Sequence, residues 1–87
     1  MDAPWELHPR VSLRRERFGA LAYNFDTRRL CTLNSSKLAE VVASLAGEPS
    51  AISACRAAGV QDRELPQYAR ALTVLARGQM IAPRRAS

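Results

Sequence analysis

The sequence predicts a small α+β domain, a three-stranded antiparallel sheet followed by three helices. Three observations carry this prediction. Between Arg10 and Leu33, apolar and polar residues alternate with the two-residue period of strands. From Leu38 onward the apolar residues recur at helical spacing. Between the two regimes stand Asn34, Ser35 and Ser36, residue types that cap helix N-termini. A three-stranded sheet needs a cover, and three amphipathic helices are the candidates.

The first strand is read from "RVSLR", where Val11 and Leu13 alternate with Arg10, Ser12 and Arg14. The second lies in "FGALAYNF": Gly19, Leu21, Tyr23 and Phe25 share one face, and Ala20, Ala22 and Asn24 share the other. Asp26-Thr27 supplies a turn, since Asp favours the first position of a type I turn. "RRLCTL" is the third strand, with Leu30 and Thr32 on one side and Cys31 and Leu33 on the other. Its pattern does not separate an inner face from an outer one.

In the second half, Leu38, Val41, Val42 and Leu45 form a stripe at i, i+3, i+4 and i+7. Gly47 and Pro49 end that helix. Pro49 opens a second helix at its first turn, with Ile52, Cys55 and Ala58 inward and Gly59 as its stop. A third runs from Leu65 or Pro66 to about Arg77, on a stripe of Leu65, Tyr68, Leu72 and Leu75, and Gly78 ends it. The N-terminal segment 1–9 and the basic tail 82–87 are expected to be flexible.

The chain of 87 residues is long enough for one domain with a small core. Its hydrophobic fraction, 47%, is too high for a disordered protein. The start, "MDAPWELHPR", lacks the basic and apolar regions of a signal peptide, and no apolar run is long enough to span a membrane. A soluble, cytoplasmic protein is expected. Cys31 and Cys55 form no CxxC unit, and with His8 they are too few for a zinc site. Two free thiols are the expectation, and no metal or other cofactor is implied.

Nothing points to catalysis. The single histidine, His8, lies in the N-terminal segment, and no nucleophile elbow or glycine-rich phosphate loop is present. The chain reads as a binding protein. Its net charge is +5, and all thirteen basic residues except Lys37 are arginine. That excess fits recognition of phosphate or carboxylate, and equally the codon usage of a GC-rich genome.

Two binding modes compete. Cys55, Gly59 and Leu65 echo the small residue, turn glycine and apolar residue of a helix-turn-helix, and Arg63, Arg70 and Arg77 lie along one side of the third helix. The same spacing is that of an ordinary solvated helix face, and only Gln67 suits base readout near the helix start. The other mode is peptide capture. An edge strand leaves N–H and C=O groups unpaired, so an extended peptide can add to it. Arg28 and Arg29, where "RRLCTL" begins, would then steer an acidic peptide, or simply guard the edge against aggregation.

The residues themselves go further. "WELHPRVSLRRERFGALAYNFDTRRLCTLNSSKLAEVV", with "SACRAAGV" and "YARALTVLARGQMI", resembles the mycofactocin-system peptide chaperones, small PqqD-like proteins. "RFGALAYNFDTRRL" and "ACRAAGV" are its most specific parts. Arg15 and Arg17 flank Glu16 where that family is associated with prolines. The resemblance implies a RiPP recognition element, 1–87 as one domain with a winged helix-turn-helix-like fold and no catalytic activity. It implies binding of a precursor peptide's leader region by strand addition, and delivery to a radical-SAM maturase. No nucleic acid or membrane is expected as a partner, and the runner-up is a small winged-helix DNA-binding protein. Carried onto this chain, the groove would use Arg28, Arg29, Leu30, Cys31, Thr32 and Leu33 on one side. Tyr68, Leu72 and Leu75 would form the other side, with Arg70 at the rim.

Overall fold

A computed structural model of the chain describes residues 4–84. It contains the expected three-stranded sheet: β2 (Val11–Glu16), β3 (Gly19–Asn24) and β4 (Arg29–Leu33), antiparallel in the order β2-β3-β4. The helices α1 (Ser36–Ser44), α2 (Ala51–Ala57) and α3 (Leu65–Arg77) follow. The fold class read from the sequence is the fold class observed.

The chain ends depart from expectation. Instead of fraying, β1 (Trp5–Leu7) pairs antiparallel with β5 (Ile81–Pro83), in the register Trp5↔Pro83 and Leu7↔Ile81. Both strands have apolar neighbours to bury: Trp5 and Leu7 pack against the core, and Ile81 is within it. Arg84 then fixes the C-terminal side. Its guanidinium donates to the carbonyls of Leu45, Ala46 and Glu48, at 3.4 Å for Leu45 and 2.9 Å for Glu48. Those carbonyls lie in the turn just past α1, where the Leu45 carbonyl also accepts from the Glu48 N–H at 3.2 Å. The remaining terminal residues, 1–3 and 85–87, lie outside the described part.

The sheet buries its small-residue face. Ala20, Ala22 and Asn24 of β3 are shut off from solvent, while Leu21 and Tyr23 on the opposite face are half-buried. α1 packs against β3 and β4, and small side chains permit that close approach. Gly19 shows how close it is. At φ +147 its missing Cβ would lie 2.0 Å from the Leu33 carbonyl oxygen, so no side chain fits.

The turn between β3 and β4 spans Phe25–Arg28, and its organiser is Asn24 rather than Asp26. The Asn24 Oδ1 accepts from the N–H groups of Asp26 (2.8 Å) and Thr27 (3.1 Å), an Asx-type closure. Its Nδ2 donates to the Gln79 carbonyl at 2.8 Å. Asn24 is the buried polar residue of the core, and both its side-chain oxygen and nitrogen have partners.

The helix caps follow the sequence with one shift. Ser35 caps α1 through its hydroxyl, which accepts from the Leu38 N–H at 3.1 Å. Ser50 caps α2 likewise through Ser53, so Pro49 stands before the cap and not in the first turn. The inward residues of α2 are Ala51, Ala54 and Cys55; Ile52 and Ala58 are half-buried. A capping box joins Gln61 and Glu64 ahead of α3. The stripe of α3 is as read, with Leu72 and Leu75 buried and Leu65 and Tyr68 packed against the core. After Gly78 the left-handed residue is Gln79 (φ 62), and the Met80 N–H returns to the Leu75 carbonyl.

Candidate functional site

Strand order makes β4 an edge: one side pairs with β3 from Ala20↔Leu33 to Asn24↔Arg29, and no strand of the sheet lies on the other. About half of the backbone N–H and C=O groups of such a strand point away from its partner. Two clefts near the ends of this edge are shared with α3. A cleft at one end is lined by Ser35, Leu38, Gln67, Tyr68 and Ala71. A second, at the other end, is lined by Thr27, Arg29, Arg77, Gly78 and Gln79. The segment just after β4, at the start of α1, therefore faces the first turns of α3, and the N-terminal end of β4 faces the finish of α3. β4 and α3 run antiparallel and bound a groove.

Dimensions support a peptide-sized channel. Five strand residues span about 17 Å, and the α3 stretch from Tyr68 to Arg77 spans roughly 14 Å. The cleft at Tyr68 measures ≈ 110 Å³, well under the roughly 300 Å³ of a small-molecule pocket. It has room for one side chain. Its wall is mainly apolar, with Leu38, Ala71 and Tyr68 in it, whereas the opposite cleft is mainly polar and lined in part by Arg29 and Arg77.

The sequence-derived site residues divide into four groups. Arg29 and Tyr68 line the clefts, and Cys31 is half-buried on the inner face of β4. Leu30 and Thr32 lie on the outer face, and Arg28 is in the turn with φ 60. The sequence assigns Leu33, Leu72 and Leu75 to the groove as well as to the core, but the structure buries all three, at 2%, 1% and 4% exposure. Only the core role is visible. Arg70 is exposed and lines neither cleft; its Nε donates to the Pro66 carbonyl at 3.5 Å.

Sequence reasoning missed Ser35, Leu38, Gln67 and Ala71 at one end, and Thr27, Arg77 and Gln79 at the other. A signal did exist on α3: Gln67, Ala71 and Gly78 flank the core stripe on one side, where a helix meets a neighbour at a distance.

Both thiols are free, and burial pushes the Cys31 and Cys55 thiols above their ordinary value. Neither has the electropositive setting of a reactive thiolate. Among the described residues no three His, Cys, Asp or Glu side chains stand close enough to hold a metal ion. No described helix is long and apolar enough to cross a membrane.

The model of the peptide chaperone MftB family matches residues 4–82. The chain belongs to that family. It is 49% identical over 85 residues to the peptide chaperone MftB of Mycobacterium ulcerans (strain Agy99), covering 98% of this chain and 78% of the relative. The peptide chaperone MftB of Mycobacterium tuberculosis (strain ATCC 25618 / H37Rv) is 48% identical over 83 residues, covering 95% and 76%. That of Mycolicibacterium smegmatis (strain ATCC 700084 / mc(2)155) is 48% identical over 82 residues, covering 94% and 80%. No solved structure matches. Membership of this family makes the protein a non-catalytic accessory, a peptide chaperone. The match runs through β1, the sheet, all three helices and the start of β5, so the groove lies wholly within it.

Proposed function

We propose that this MftB-family chaperone binds the leader region of the mycofactocin precursor peptide as an added strand on β4, and delivers the peptide to a radical-SAM maturase. The observation that carries this reading is the unpaired edge of β4 running beside α3, with a cleft at each end. Backbone groups of the edge supply affinity without regard to sequence. The apolar cleft at Tyr68 selects a side chain at one end, and Arg29 with Arg77 favours a carboxylate at the other. Each backbone hydrogen bond nets about 0.5–1.5 kcal/mol, and a buried aliphatic side chain adds about 1.5–3 kcal/mol. Four or so bonds and one such side chain reach roughly micromolar affinity after peptide ordering is subtracted.

The helix-turn-helix shape favours one competing reading. Gly59 makes the turn between α2 and α3 at φ +90, and Arg63 and Arg70 are exposed. Calorimetry with the precursor peptide and with random duplex DNA, each at two salt concentrations, separates the two. Strand addition gives saturable peptide binding with little salt dependence. Backbone N-methylation along the leader then weakens binding at alternate positions only, since every second N–H faces β4. DNA affinity that falls steeply with salt, without peptide binding, makes the protein a winged-helix DNA binder.

A further inference from the structure

The outer face of the three-stranded sheet is uncovered, and it is apolar on its β3–β4 side, while β2 contributes Ser12, Arg14 and Glu16. Leu21, Tyr23, Phe25 and Leu30 lie on it, opposite the face that packs on α1. Tyr23 stands directly across from Leu30, and its ring meets Phe25 edge to face at 4.9 Å. Phe25 and Leu30 remain 58% and 62% exposed. Two protruding apolar side chains beside two half-buried ones make a patch, unlike a scattered surface residue. Arg14 stands across from Leu21 and is paired with Glu16 at 2.8 Å, and Arg10 pairs with Asp26 beside Phe25 at 2.9 Å; Arg17 and Arg28, in the turns at the two ends of β3, have no carboxylate partner among the described residues.

We infer that this face docks the enzyme that receives the peptide, through an apolar surface on that enzyme rimmed by carboxylates. Charge selects the occupant. In a second copy of this chain Glu16 and Asp26 are already paired with Arg14 and Arg10, so Arg17 and Arg28 would meet no free carboxylate, whereas an acidic rim pairs with both. A lipid surface is the poorer fit, because Leu21 and Tyr23 lie flush with the sheet, leaving two side chains for insertion.

Position adds a second argument, which rests on the strand-addition reading. The face measures roughly 15 Å by 18 Å from strand spacing and rise, well below the ~800 Å² per partner of a stable interface. A leader strand added to β4 would widen it. Alternate side chains of that strand would continue the row beyond Leu30 and Thr32 on the same side of the sheet. The enzyme would therefore grip the loaded chaperone more tightly than the empty one.

The test uses the full chain, purified maturase and precursor peptide, with Phe25→Ser and Arg17→Glu as variants outside the groove. Circular dichroism establishes that each folds. Both variants are expected to hold the peptide like the parent and to bind the maturase at least about tenfold more weakly, as expected for loss of a central anchor or a steering charge. Maturase affinity unchanged in both variants overturns the proposal. So does a parent protein that does not bind the maturase. A parent dimer that Phe25→Ser dissociates assigns the face to a second copy, and loss of binding to anionic vesicles alone assigns it to lipid; either result overturns it too. If the parent binds maturase but no peptide, and Phe25→Ser abolishes that binding, the docking face stands and the strand-addition reading falls.

Discussion

Replacing Asn24 by alanine should cost this domain a large share of its stability. The side chain makes three hydrogen bonds: one donated to Gln79 and two accepted from Asp26 and Thr27. At about 0.5–1.5 kcal/mol each, their loss sums to roughly 2–4 kcal/mol. The polar groups left behind are near solvent, since Asp26, Thr27 and Gln79 are exposed, which keeps the figure from rising further. In a domain of this size that corresponds to a melting temperature lower by roughly 8–32 °C. Asn24→Asp should fare no better, because a carboxylate cannot donate to the Gln79 carbonyl and would be buried without a cation. Equilibrium urea unfolding is the assay: the midpoint should fall while the slope stays constant. A midpoint shift worth under ~0.5 kcal/mol would refute the claim that this one side chain joins the hairpin turn to the exit of α3.

Three further outcomes are expected. Gly19→Ala should be at least ~3 kcal/mol less stable in the same assay, because its Cβ would meet the Leu33 carbonyl at 2.0 Å and its φ disfavours any side chain. Arg84→Ala should cost about 1–3 kcal/mol and speed hydrogen exchange after α1, since three carbonyls there lose a charged donor. The raised thiol pKa values make the neutral forms of Cys31 and Cys55 the folded forms. Their stabilising contribution is therefore present below the ordinary thiol value of 9.0 and is lost as pH rises through the folded value. Unfolding free energy measured between pH 8 and 11 (a range of roughly that width suffices) should fall less steeply in a Cys31→Ala, Cys55→Ala double variant.

Much of this architecture was legible because its elements are locally encoded. Ser35 and Ser50 cap, Leu72 and Leu75 fall on a helical stripe, and β3 and β4 alternate. What escaped is non-local. Trp5 meets Pro83 across almost the whole chain, and neither three-residue strand has length enough to show a period. The inner face of β3 escaped for another reason. Its buried members are Ala20, Ala22 and Asn24, so bulk and hydrophobicity point to the face with Leu21, Tyr23 and Phe25, which is the outer one. The edge strand of the site was readable from its position as the last strand. Its partner wall was not, because Gln67 and Ala71 face a gap, and a gap leaves no hydrophobic signature.

The pairing of β1 with β5 also sets how the molecule responds to force. Trp5 and Pro83 are opposite one another at the outer end of a short antiparallel ribbon, so the chain enters β1 and leaves β5 at the same place. Tension applied between the ends therefore loads that ribbon's hydrogen bonds one after another, as in opening a zip, and not all together in shear. The ribbon should part at low force, and the Arg84 contacts should give way with it. The three-stranded sheet, whose hairpins are joined internally, would bear load only afterwards.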